Sequence, residues 1–140
     1  MLAPGSVRDT EGDRLREILL VGIGGFVGAV ARYVVSGAVQ QHADGTFPAG
    51  TLAVNVLGCG AIGGLMALVE EGGALSPDLR LLLLVGLLGS FTTFSTFGHE
   101  TLALLREGDL PLSVANVGGN VVLGLLAVFA GRALARWFAG

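Results

Sequence analysis

Lysine is absent from the 140 residues, so all eight cationic side chains are arginines, and the net charge is -3. Charged residues make up 14% of the chain, and no basic patch interleaves with exposed aromatics. The chain therefore offers no footing for nucleic acid as a partner. Cys59 is the only cysteine, which excludes an intrachain disulfide and a Cys-rich metal site; set between Gly58 and Gly60, it reads as a small packing residue. Neither a buried acidic pair nor a Cys/His cluster is legible, so nothing points to an enzyme.

What is abundant is apolar. Hydrophobic residues make up 52% of the sequence, and the mean hydropathy is +0.76. That is too apolar for an ordinary soluble domain and too short for several membrane modules. A helix crossing the hydrocarbon needs roughly 20 residues, and four such stretches can be marked: 18–39, 49–69, 79–105 and 112–137. The expected fold is an all-α integral membrane protein with four transmembrane helices over residues 18–140. A polar tail over 1–17 precedes it, with alternating charges and at most a short helical turn. The apolar stretch behind this tail is too long for a signal-peptide core. The 24 glycines fit close helix packing in lipid, where small residues let backbones approach. Gly24 and Gly28 in the first span, and Gly60 and Gly64 in the second, sit one turn apart as G-x-x-x-G pairs.

Residues 89–97 read G-S-F-T-T-F-S-T-F, hydroxyls and three phenylalanines inside a segment otherwise fit to cross a bilayer. Lipid gives hydroxyls no water, so they must face protein or an aqueous path. Gly, Ser and Thr together also weaken the helix, which predicts a broken third helix near Gly89 to Thr92. On a continuous helix Thr92, Ser95, Thr96 and His99 share one face, with Phe94 and Phe97 beside them. Asn55 in span two, and Asn116 and Asn120 one turn apart in span four, add amides. A single Ser or Thr in a membrane helix is most simply bonded back to its own preceding turn, and a single Asn is equally well helix glue. Clustered on three helices, they describe a donor-lined path for a small anion, with phenylalanine ring edges as weak support and Arg32 raising anion occupancy near one mouth. Carbonyls freed at a helix break are ligands for a cation. Glu100 is expected to pair with an arginine near the interface, and Tyr33 to anchor there.

Three motifs in this order, G-G-F-V-G-A-V-A-R-Y, F-P-A-G-T-L-A-V-N-V-L-G and G-S-F-T-T-F-S-T-F, resemble those of the CrcB/Fluc fluoride channels over about Gly24 to Gly131. The resemblance implies a dimer of two four-helix subunits inserted in opposite directions, passive export of fluoride, and one structural Na+ held by backbone carbonyls. Its Na+ ligands carry onto Gly89 and Thr92. Its anion pathway carries onto Asn55, Phe94, Ser95, Thr96 and Phe97, with Asn116 and Asn120 at polar fourth-helix positions. Ser90 stands where many relatives have a second glycine.

Arg8, Arg14, Arg16, Arg80, Arg132 and Arg136 fall on the side of the termini and Arg106 on the other, which favours cytoplasmic termini. A homodimer in antiparallel orientation and a heterodimer with an oppositely inserted homologue are therefore both open. Two other functions compete. A small multidrug-type proton-coupled exporter has the same architecture but needs a carboxylate at mid-membrane. A non-transporting membrane assembly subunit would use the polar residues only as glue between helices.

Overall fold

The computed structural model describes residues 11–72 and 75–139. Every regular element over these residues is helical. Four helical segments are long and apolar enough to cross a membrane: Glu11–His42, Ala49–Glu70, Pro77–Arg106 and Leu110–Phe138. We name the helices α1 (Glu11–His42), α2 (Ala49–Gly72), α3 (77–91), α4 (Phe94–Arg106) and α5 (110–139). α3 and α4 together make the third span. Four spans place the two ends of the described chain on one side of the membrane.

α1 begins at Glu11, so residues 11–17 form nearly two continuous turns of helix where a tail was expected. At about 1.5 Å per residue its 32 residues reach roughly 48 Å, well beyond a hydrocarbon core of about 30 Å. The excess projects into water, where the charges need no partner from the membrane. Glu11 and Asp13 lie in the first turn and complement the positive end of the helix dipole. The expectation for residues 1–10 lies outside the described residues, as does the part of the α2–α3 connection at 73–74.

The ends of the helices follow local chemistry. Gln40 near the end of α1 donates to the Phe47 carbonyl (3.1 Å) and accepts from the Gly50 N–H (3.1 Å), tying the first loop to the start of α2. Ser76 caps α3 by accepting from the Leu79 N–H at 3.3 Å, with Pro77 in the first turn where its missing N–H costs nothing. α4 closes on Gly108 in the left-handed region (φ +81°), as the Asp109 N–H reaches back to the Leu104 carbonyl at 2.9 Å. Asp109 then caps α5 through the Leu112 N–H at 3.2 Å. Two stretches, Leu81–Leu88 in α3 and Gly119–Leu123 in α5, are wound as π-helix.

Two glycine seams hold the helices together. A Cβ at Gly24 or Gly28 of α1 would overlap the carbonyl of Leu82 or Leu87 in α3, and one at Gly86 would meet Val21. Between α2 and α5 the same holds for Gly63 against Val128 and Gly131 against Gly60. The driving force is backbone packing in a solvent as apolar as the side chains. Accordingly few side chains are fully buried, and Phe26, Tyr33, Phe129 and Trp137 stand largely exposed on the outside, as lipid-facing residues do. Toward the helix ends, Arg132 grips Glu70 with two hydrogen bonds (3.0 and 2.6 Å), and Arg16 pairs with Asp78.

Candidate functional site: a helix break clamped by an asparagine

The third span leaves helical geometry at Thr92 (φ −84°, ψ 158°) and Thr93 (φ −148°, ψ 112°). The interruption therefore lies at the C-terminal edge of the expected Gly89 to Thr92 segment. Its cause is local competition by hydroxyls and one amide for the backbone. Thr93 caps α4, its Oγ1 accepting from the Thr96 N–H at 3.2 Å. The Thr93 N–H is bonded to Asn55 Oδ1 at 2.8 Å, and Asn55 Nδ2 donates to the Thr93 carbonyl at 3.2 Å. One side-chain amide thus satisfies both backbone groups of a residue buried in the break (Thr93, 7% exposed). An unpaired backbone group at this depth is costly, so Asn55 makes the break tenable.

These bonds have a consequence upstream. In an unbroken helix the Thr93 N–H would close on Gly89 and the Thr96 N–H on Thr92; both donors are engaged elsewhere. The carbonyls of Gly89 and Thr92 are left without them. Gly58 of α2 makes room for the break, since a Cβ there would overlap the Thr92 methyl. The Thr92 hydroxyl donates back to the Leu88 carbonyl at 3.1 Å, on the α3 side of the break. Thr92 therefore does not continue the face carried by Ser95, Thr96 and His99, because the shared face required an unbroken helix.

A cavity of about 390 Å³ opens beside the break, between α2, α3, α4 and α5. Asn55, Phe94, Phe97 and Asn120 line it together with Gly89, Thr92 and Thr93. Its remaining wall is apolar, with Cys59, Ile62, Leu84 and Val121. The rings of Phe94 and Phe97 lie 5.4 Å apart, tilted by 52°. Ser95 and Thr96 sit on the exposed first turn of α4 rather than in the cavity wall. The Thr93 hydroxyl donates to Thr96 Oγ1 at 2.8 Å, a bond that leaves the Thr96 hydrogen unused.

Asn116 and Asn120 separate in role. Asn120 reaches the cavity, accepting from Asn55 Nδ2 at 2.8 Å. Asn116 is wholly buried outside it and donates to Thr101 Oγ1 at 2.9 Å. Arg32, half-buried on α1, lies apart from the cavity and has no carboxylate within ion-pair distance among the described residues. Glu100 has no arginine partner among the described residues. It accepts from the Thr51 hydroxyl at 2.8 Å, and its second oxygen is buried without a partner among the described residues. Sequence reading does not single out Thr101, and it gives Thr93 only as one member of a stripe with Thr96 and Glu100. Thr93 was hidden in a run of hydroxyls, and Thr101 was a lone hydroxyl in an apolar helix end, where back-bonding is the ordinary reading.

Four apolar spans, with a polar cluster converging on an interrupted helix beside a largely apolar cavity, define a multi-pass membrane protein. The family model described as CrcB-like protein, Camphor Resistance (CrcB), matches residues 19–132. A fluoride-specific ion channel FluC of Methylobacillus flagellatus is 44% identical over 121 residues, covering 86% of this chain and 94% of that protein. The FluC of Solibacter usitatus is 48% identical over 118 residues (84% and 97%), and that of Nitratidesulfovibrio vulgaris 43% over 122 (87% and 98%). The chain belongs to the CrcB family.

Proposed function

We propose that this protein is a fluoride-selective passive channel of the cell membrane, letting F- leave the cytoplasm. The observation that carries this reading is the cavity at the helix break, where two phenylalanine rings meet a frame of side-chain amides with no carboxylate, imidazole or guanidinium in the wall. A small, strongly hydrated anion needs replacements for its water, and hydroxyl hydrogens and ring edges supply them. Membership of the CrcB family and the names of its relatives support the same reading. The pathway comprises Asn55, Phe94, Phe97 and Asn120 at the cavity, with Ser95 and Thr96 on the exposed turn leading to it. Arg32 draws anions toward one mouth. The proton-coupled exporter fits less well, because no carboxylate lines the cavity.

The freed carbonyls of Gly89 and Thr92 suit a hard alkali cation, and in this reading they would hold a structural Na+ that braces the break by satisfying those oxygens. Two oxygens are too few to replace a hydration shell, so the site requires a second chain. That partner is another copy in antiparallel orientation, or a homologue inserted the opposite way. Purified protein in liposomes should release fluoride and retain chloride. Equal release of both halides, or of neither, would defeat the proposal.

A further inference from the structure

The sense in which Asn55 holds the break, oxygen to N–H and nitrogen to carbonyl, is required by the Thr93 backbone and is matched by a chain of hydrogen bonds that begins eight residues away. The Thr101 hydroxyl donates to the Phe97 carbonyl at 2.7 Å, one turn back on α4. A hydroxyl has one hydrogen, so Thr101 Oγ1 can serve its other neighbour only as an acceptor. Asn116 must therefore present its nitrogen, and Asn116 Nδ2 lies 2.9 Å from Thr101 Oγ1. Its oxygen then faces Asn120, whose Nδ2 donates to both the side-chain and the backbone oxygen of Asn116, each at 2.9 Å. Asn120 is left with its oxygen toward Asn55, which must answer with Nδ2 at 2.8 Å. Only in that sense does Asn55 Oδ1 meet the Thr93 N–H at 2.8 Å. Turned over, Asn55 would set N–H against N–H at Thr93 and oxygen against oxygen at Asn120.

We propose that Thr101 is a positioning residue: its hydroxyl, relayed through Asn116, Asn120 and Asn55, reinforces the amide clamp on Thr93 and so helps hold Phe94 and Phe97 at the cavity. The relay also engages both N–H hydrogens of Asn55 and both of Asn120. Hydrogen bonds to a passing ion are thereby left to the hydroxyls of α4, and the asparagines hold the frame. The burial of Asn116, which is fully enclosed, and of Ser113 beside it (3% exposed, its hydroxyl 3.4 Å from the Thr101 carbonyl) keeps water from substituting for a missing link.

The channel part of this inference rests on the proposed function, whereas the clamp part does not, and the experiment separates them. In the full-length protein, exchange of the Thr93 amide hydrogen is followed by NMR beside fluoride efflux from liposomes. Thr101→Val keeps the shape of the side chain and deletes the hydroxyl. It should speed Thr93 exchange by about tenfold, the loss expected for one weakened hydrogen bond, and lower fluoride efflux in step. Thr101→Ser restores the hydroxyl and should return both toward native values. Asn120→Leu interrupts the relay at its centre and carries the same prediction for Thr93 should Thr101→Val not fold. Native protection of Thr93 in Thr101→Val, or equal loss in Thr101→Ser, would overturn the relay. Failure of the native protein to prefer fluoride over chloride would overturn only the channel reading, since Thr93 exchange is measured without transport.

Discussion

Replacing Asn55 by leucine removes the clamp while keeping a side chain of similar length. Three groups lose their partners: the Thr93 N–H at 2.8 Å, the Thr93 carbonyl at 3.2 Å and Asn120 Oδ1 at 2.8 Å. Side-chain hydrogen bonds between membrane helices average only about 0.6 kcal/mol, because the separated helices find other partners. That figure suits the link to Asn120. Thr93 differs, since its N–H belongs to the backbone at a break and is buried; leaving such a donor unmet costs about 1–3 kcal/mol. Part of this returns as the leucine buries apolar surface in the neighbouring cavity. The expected net loss is about 2 kcal/mol, roughly a thirtyfold change in the folding equilibrium. Equilibrium unfolding in mixed micelles measures it directly. Asn55→Asp sharpens the test, because it keeps an acceptor for the Thr93 N–H but turns an oxygen toward the Thr93 carbonyl and Asn120 Oδ1. It should be at least as damaging as leucine. Stability of Asn55→Leu within about 0.5 kcal/mol of native, or native behaviour of Asn55→Asp, would refute the clamp.

Three further outcomes follow from the same geometry. Phe94 is 84% exposed in the single chain, so Phe94→Leu should lower fluoride efflux by about tenfold or more, through loss of the ring edge, while the circular-dichroism melting curve of the detergent-solubilised protein changes little. Gly131→Ala drives a methyl into the Gly60 carbonyl and should destabilise by about 1–3 kcal/mol despite a better helix propensity; Gly12→Ala, where a Cβ meets nothing, should be neutral or stabilising, and equal effects in the two unfolding curves would refute the seam. Ser76→Ala should cost about 1 kcal/mol by uncapping α3, read as faster hydrogen exchange at the Leu79 amide, and unchanged exchange there would contradict the cap.

Much of the architecture was legible because lipid imposes a simple rule: about 20 apolar residues make a span, and every backbone polar group is satisfied within it. The spans, the Gly24 and Gly28 seam of α1 and the proline and serine at the start of α3 follow from spacing alone, whereas Gly63, Gly86 and Gly131 show their close approaches only in the packed bundle. Less legible was the N-terminal stretch. Mixed charges at 11–17 suggest a solvated tail, yet a helix already nucleated in the membrane extends outward at little cost, one hydrogen bond per added residue. The partner of Glu100 was also missed. A carboxylate near the interface suggests an arginine, but the Thr51 hydroxyl of α2 faces it across the bundle.

The sequence by itself determined that the chain is a four-span membrane protein with its polar residues gathered on spans two, three and four, since composition and periodicity decide which segments can live in lipid. It also located the weak point of the third span, because Gly, Ser and Thr compete with their own helix. Only the tertiary structure decided which residues act on which. Asn55, Asn116 and Asn120 are the same residue type at similar depth, and nothing in their spacing distinguishes a cavity wall from a buried link. Their roles depend on which hydrogen bond each neighbour has left open, and that is settled only when three helices bring Thr93, Thr101 and the asparagines into reach.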